Sequence, residues 1–178
     1  MPGSSRRPRP REMRRKSSQS KSRALDEAAA RERCLRLLSV RARSAAELRE
    51  RLLKAGFPRG VIGPVLADFA EAGLVDDEEF ARSWIAGRKV AGIGRRRLRA
   101  ELAQKGIERG MIERLIAEQV DDETERGQVE TLARRRLARW SVDARTLARL
   151  RRFLIGRGYG FEMVDDALRT IAGEEDAN

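Results

Sequence analysis

The chain has 178 residues, 40% of them hydrophobic, with one cysteine, no histidine and a formal net charge of +11. A lone cysteine excludes an internal disulfide, and the lack of histidine excludes the usual Cys/His zinc site and any Cys–His or Ser–His nucleophilic pair. No apolar run approaches the roughly 18–20 residues of a membrane span, and the basic N-terminus has no apolar stretch behind it, so neither a membrane anchor nor a secretory signal is expected and the cytoplasm is the default compartment.

Residues 1–23, MPGSSRRPRPREMRRKSSQSKSR, hold nine Lys/Arg against one acid, Glu12. Such a segment has almost nothing to bury, and a disordered basic tail is expected. It either draws the protein toward phosphates or simply solubilises it. Residues 24–178 hold 30 Lys/Arg and 27 acids, so most of the net charge belongs to the tail.

The body is rich in alanine, leucine, arginine and glutamate, the composition of an all-α protein. A first helix is predicted over about 24–40, with Leu35, Leu38 and Ala42 on its apolar stripe and Cys34 as a small buried residue. Ser44 and Glu47 then fit a capping box. The segment AELRERLLKAGFPRGVIGPVL (46–66) reads as a helical hairpin. Leu48 and Leu52 lie one turn apart on one face. Gly56 ends the helix in the left-handed conformation, and Phe57 folds back onto the core. Pro58 suits the first turn of the next helix, whose stripe is Val61, Ile62, Val65, Leu66 and Phe69.

The same hairpin recurs twice, as RRLRAELAQKGIERGMIERLI (96–116) and LARLRRFLIGRGYGFEMVDDAL (147–168). Aligned on Gly56, Gly106 and Gly158, the columns Leu48/Leu98/Leu150, Leu52/Leu102/Leu154, Phe57/Ile107/Tyr159, Ile62/Ile112/Val164 and Leu66/Ile116/Leu168 coincide. Each hairpin follows a further amphipathic segment, about 77–90 with Phe80, Trp84 and Ile85 in the second case and 122–140 with Val129, Leu132, Leu137 and Trp140 in the third. The predicted fold is therefore all-α: three tandem three-helix repeats in an elongated body, over 24–75, 76–120 and 121–173, with a short C-terminal tail at 174–178.

Acids cluster where one repeat meets the next, VDDEEF at 75–80 and VDDETE at 120–125. Asp at an N-cap and acids in a first turn favour a helix start, so these are read as capping rather than metal or catalytic residues. Asp165 and Asp166 are read as a solvated helix face. GIGRRRL at 92–98 has no preceding strand, which points to a hinge between helices rather than a phosphate loop. No cofactor and no enzymatic activity are expected.

Two basic clusters remain. Residues 88–109 hold Arg88, Lys89, Arg95, Arg96, Arg97, Arg99, Lys105 and Arg109 against Glu101 and Glu108. Residues 134–152 hold Arg134, Arg135, Arg136, Arg139, Arg145, Arg149, Arg151 and Arg152 against Asp143. The density of arginine favours an anionic partner. Few aromatics stand beside these residues, so base stacking is not expected to drive affinity.

Several stretches together resemble the RecX family of bacterial RecA regulators. GLVDDEEFARSWIAGR (73–88) is similar to the family's G-L-[IV]-D-D-x-x-[FY]-A segment, and RRRLRAELAQKGI (95–107) to its R-L-x-x-E-L-x-x-K-G-I segment. Ser44, Glu47 and Leu48 with Lys54, Gly56 and Phe57 resemble its first hairpin. The resemblance covers about 30–172. The third repeat departs most, with a first helix that looks about two turns longer. The resemblance implies three tandem three-helix repeats in a curved body that binds in the groove of a RecA filament on single-stranded DNA. It further implies suppression of RecA's ATPase, strand-exchange and co-protease activities, in DNA repair and the SOS response. A monomer is the simplest expectation. Arg88, Arg95, Arg96, Arg97, Lys105 and Arg109, with Arg134, Arg135 and Arg139, are the candidate contacts to acidic recombinase surface or to phosphate. Of these, Arg88, Arg97 and Lys105 lie inside the recognised segments. A protein that binds DNA directly and a helical adaptor for another protein are the competing readings.

Overall fold

A computed structural model describes residues 26–138 and 143–176, and among them the chain is helical throughout, with no strand. The expected all-α class is borne out. Helix α1 covers 26–38. It is followed by α2 (Ala45–Lys54), α3 (Arg59–Glu71), α4 (Asp77–Val90), α5 (Arg95–Gln104), α6 (Arg109–Gln119), α7 (Asp122–Leu137), α8 (Ala144–Gly156) and α9 (Phe161–Asp176). None of the described helices is long and apolar enough to cross a membrane. The basic tail at 1–23 and Trp140 lie outside the described residues.

The turns that end α2, α5 and α8 are built alike. Gly56, Gly106 and Gly158 have φ of 89°, 75° and 92°, the left-handed region where a side chain is strained. Each amide following the glycine reaches five residues back to an orphan helix carbonyl: Phe57 N to Leu52 O at 3.2 Å, Ile107 N to Leu102 O at 3.1 Å, Tyr159 N to Leu154 O at 3.3 Å. This Schellman closure satisfies the helix end and swings the next side chain inward. Ile107 and Tyr159 are buried, and Phe57 packs half-buried on its core. The leucine columns of the sequence are the hearts of three clusters, with Leu48, Leu98, Leu52, Leu102 and Leu154 fully buried and Leu150 nearly so.

The chain divides into two compact units at Asp76/Asp77. The first has a single core, formed by α1, α2 and α3. Its α2 is capped by buried Ser44, whose Oγ accepts from Glu47 N at 3.1 Å. The α1 stripe differs from the one read in the sequence. Ala30 and Cys34 are the fully buried residues, Leu37 and Leu38 are half-buried, and Leu35 and Ala42 face solvent. Small residues let α1 sit close to α2 and α3, so the buried face follows Ala30 and Cys34 rather than the larger leucine one position on. Burial pushes the Cys34 thiol up from its ordinary pKa.

The second unit contains two cores, one from α4–α6 and one from α7–α9. α7 has 16 residues against 14 in α4, so it is longer by about half a turn rather than two. The two bundles are joined by a seam that the sequence reading did not foresee. Gly94, at the start of α5, donates its N–H to Arg157 O at 2.9 Å, and Arg96 N donates to Gly158 O at 3.0 Å. The backbones approach so closely that a Cβ on Gly94 would lie 2.6 Å from the Gly158 carbonyl, and one on Gly158 would lie 2.4 Å from Arg97. The GIG segment is thus a docking point between helices, not an open hinge.

A buried ion pair closes the same seam. Glu125, 2% exposed, accepts from the Arg95 N–H at 2.7 Å and from its guanidinium, which also reaches Asp122. Within VDDETE, Asp121 caps α7 as expected, its carboxylate accepting from Thr124 N at 2.7 Å. Glu125 is the exception: it is a buried anion whose partner comes from the neighbouring bundle.

Two outcomes follow. Glu125→Ala leaves Arg95 without its buried partner and costs about 3 kcal/mol in urea-induced unfolding of the full chain, with Gly94→Ala destabilising in the same direction by steric exclusion. In the first unit, Cys34→Ser lowers the unfolding midpoint while Leu35→Ser leaves it within about 0.5 kcal/mol of the parent.

Candidate interaction surface

Residues four apart on a helix share a face. On α4 this pairs Trp84 with Arg88, and on α5 it aligns Arg97 and Glu101 with Lys105, the C-cap residue. The two stripes meet at one carboxylate. Glu101 accepts from Trp84 Nε1 at 3.1 Å, from Arg88 Nε at 2.7 Å and Nη2 at 2.9 Å, and from Arg97 Nε at 2.9 Å. Arg97 also donates to Gly156 O at 3.3 Å. Phe80 stacks on Trp84 with centroids 5.9 Å apart. The Arg88 guanidinium carbon lies 5.0 Å and Lys105 Nζ 4.7 Å from the Trp84 ring centre, both within cation–π range.

The electrostatics are one-sided. Two guanidiniums share one carboxylate, and a third cation, Lys105, lies over the adjoining indole. The Glu101 side chain is only 13% exposed, whereas those of Arg88 and Arg97 are 37% and 47% exposed. Burial works to raise the Glu101 pKa, but hydrogen bonds from Arg88 and Arg97 outweigh it and hold the carboxyl below its ordinary value. Ionised Glu101 therefore fixes two guanidinium forks from beneath while their outer edges stay open to solvent. Such a surface is preorganised to recognise carboxylates or phosphates.

The structure brings Arg88, Arg97 and Lys105 together and sends the other candidates elsewhere. Arg95 is turned inward to Glu125 and Asp122. Arg96 lies over Phe161, its guanidinium carbon 4.3 Å from the ring centre, with Arg151 6.0 Å from the same centre. Arg109 is exposed at the start of α6 and makes no ion pair among the described residues. Arg134 and Arg135 are exposed in the last turn of α7. Arg139 lies outside the described residues.

Trp84 and Glu101 are the residues that reading the charges missed. An indole N–H in a packed setting needs an acceptor, and a glutamate alone among arginines is the natural one, so the pair was in principle legible. The acids of VDDEEF prove busy as well as helix-starting. Asp77, Glu78 and Glu79 stand in the first turn of α4, and Glu78 bonds both Arg82 and Arg114, which hold its carboxyl down at about 2. No group of three or more potential metal-ligating residues was found among the described residues. Asp165, read as solvated, is bound by Arg151 through two hydrogen bonds at 2.6 and 3.0 Å.

Fold and surface together define a helical protein of successive three-helix bundles, built to present charge. The comparisons with known proteins place it further. Residues 30–69 match the family model described as RecX, first three-helix domain, and residues 76–116 match RecX, second three-helix domain. The chain is 39% identical over 151 residues to a regulatory protein RecX of Mycobacterium sp. (strain JLS), covering 80% of this chain and 82% of that one. It is 40% identical over 152 residues to a regulatory protein RecX of Mycobacterium avium (strain 104), covering 83% and 87%. The fold is similar to the crystal structure of RecX from Lactobacillus salivarius, with TM-score 0.74 and 19% identity over 84% of this chain and 98% of that one. The chain belongs to the RecX family of regulatory proteins, as its GLVDDEEFARSWIAGR segment led us to expect.

The lowered Glu101 pKa sets a pH dependence. A depressed folded-state pKa contributes stability that is present above the ordinary value of 4.5 and is lost as pH falls through the folded value. In a Trp140→Phe background, Trp84 fluorescence is expected to be flat from neutral pH down to about 4.5 and to change only below it, with the change absent in Glu101→Gln.

Proposed function

We propose that this chain regulates RecA, mainly as a negative regulator, by binding in the groove of the RecA filament on single-stranded DNA. Binding there modulates ATPase, strand exchange and co-protease activity during DNA repair and the SOS response. What supports the reading is membership of the RecX family together with the Arg88–Arg97–Lys105 cluster over Trp84 and Glu101. The protein acts in the cytoplasm, as a monomer, and without chemistry of its own. A ligand that contacts one filament state better than another shifts the population toward it, and no catalytic group is required.

The observation that carries the proposal is geometric: two guanidiniums held at fixed positions by one half-buried carboxylate, with Lys105 over the adjoining indole and guanidinium edges facing outward. Fixed forks reward planar acidic groups on a protein surface or on a phosphodiester backbone. Arg96, Arg109, Arg134, Arg135 and Arg139 supply further positive charge as secondary contacts, whereas Arg95 serves the seam.

The test is RecA's DNA-dependent ATPase titrated with the full chain. The double variant Arg88→Ala/Lys105→Ala is expected to need about tenfold more protein for half-inhibition, an effect of the size of losing close interfacial charge pairs. Inhibition at the parental concentration overturns the assignment of this cluster. Direct DNA binding without recombinase is separated by its salt dependence, a log–log slope near −0.7 per phosphate contacted on single strands.

A further inference from the structure

A second surface of the same unit has a different chemistry. Between the end of α4 and the flank of α7 runs a groove of about 660 Å³, lined by Lys89, Val90, Thr124, Gln128, Arg135 and Arg157 among others. That volume is typical of a ligand site, about 300–1,000 Å³. Its lining contains three cations and no carboxylate. Lys89 donates to the carbonyl of Gln119, and Arg157 to those of Ala91 and Gly92. These acceptors are neutral carbonyls, so the bonds that hold both side chains bring no carboxylate against them. Arg135 is exposed and has no ion pair among the described residues. Asp121 feels Lys89, but its carboxylate is engaged as the α7 cap by Thr124 N at 2.7 Å.

The walls are graded in polarity. Thr124, Gln128, Thr131 and Arg135 stand at successive turns along one face of α7, a ladder of hydrogen-bonding groups about 16 Å long. An extended chain of about five residues matches that length. Gly92 and Gly127 leave the floor low enough for a backbone to lie close. Val90 stands at the rim 92% exposed, and half-buried Leu132 lies beside the floor, against the Gly92 backbone.

We propose that this groove docks a short, extended acidic segment of a partner protein, one that carries an apolar side chain among its carboxylates. The carboxylates meet Lys89, Arg135 and Arg157, and the apolar side chain covers Val90 and Leu132. Charge alone suits a nucleic acid equally well. The apolar rim does not: a phosphodiester has no use for Val90, and the lining holds no aromatic ring on which a base stacks. Arg88, Arg97 and Lys105 are not part of this lining, so the inference stands or falls apart from the filament reading.

The experiment is a fluorescence-anisotropy titration of the full chain against a labelled octapeptide of glutamates with two central leucines. Its comparisons are the same peptide with serines for leucines, and an octathymidylate. Saturable binding is expected, weakened about tenfold in Arg135→Glu and about threefold in Val90→Ser, with the serine peptide binding less well than the leucine one. Both substituted positions face solvent, and circular dichroism confirms that the variants are folded. A flat titration, a variant that binds the peptide as the parent does, a serine peptide that binds as well as the leucine one, or stronger displacement by octathymidylate than by unlabelled peptide each overturns the proposal.

Discussion

One backbone conformation underlies most of this protein: a helix ended by a left-handed glycine, with the following amide bonded back to the carbonyl five residues earlier. At Gly56, Gly106 and Gly158 it performs the same two tasks. It satisfies helix-end carbonyls that would otherwise need water, and it aims the next side chain at the core. Because the turn sets the angle at which the next helix leaves, each hairpin inherits the same apolar columns. At Gly158 the turn acquires a third task. Its carbonyl accepts from Arg96 N, and its missing Cβ lets the start of α5 come within backbone hydrogen-bonding distance. A side chain at either Gly94 or Gly158 would separate the two bundles.

The arginines divide by what lies beneath them. Arg95 and Arg97 are two residues apart and chemically identical, yet one closes a seam and the other joins an open surface. The difference is the carboxylate each finds. Glu125 is buried at the bundle junction and draws Arg95 inward. Glu101 lies just under the surface and holds Arg88 and Arg97 with part of each fork outside. A buried pair is a weak source of net stability but is costly to break, and here it fixes how two bundles register. The half-buried pairs give little stability and much positional order, which suits recognition.

The groove along α7 shows a third arrangement. Two of its three cations, Lys89 and Arg157, are tied to carbonyl oxygens rather than to carboxylates, so they are held in place without being paired with an acid. Within one unit the same residue type thus serves internal locking, presentation over an aromatic ring, and open charge along a groove. Burial and acceptor type separate these roles; residue identity does not.

The helical class, the repeat period, the glycine turns and the leucine columns were all written in the order of residues, because each depends on contacts within a few turns. The RecX resemblance was legible for the same reason, since its segments are local strings. The register of α1 was not, because packing between small residues decided whether Cys34 or Leu35 turned inward. Nor was the role of Glu125, 30 residues from its partner Arg95, nor the convergence of Trp84, Arg88 and Arg97 on Glu101 with Lys105 over the indole. Sequence spacing reports which residues share a helix face. Which charge ends up facing which depends on how separate helices are set against each other, and only tertiary packing decides that.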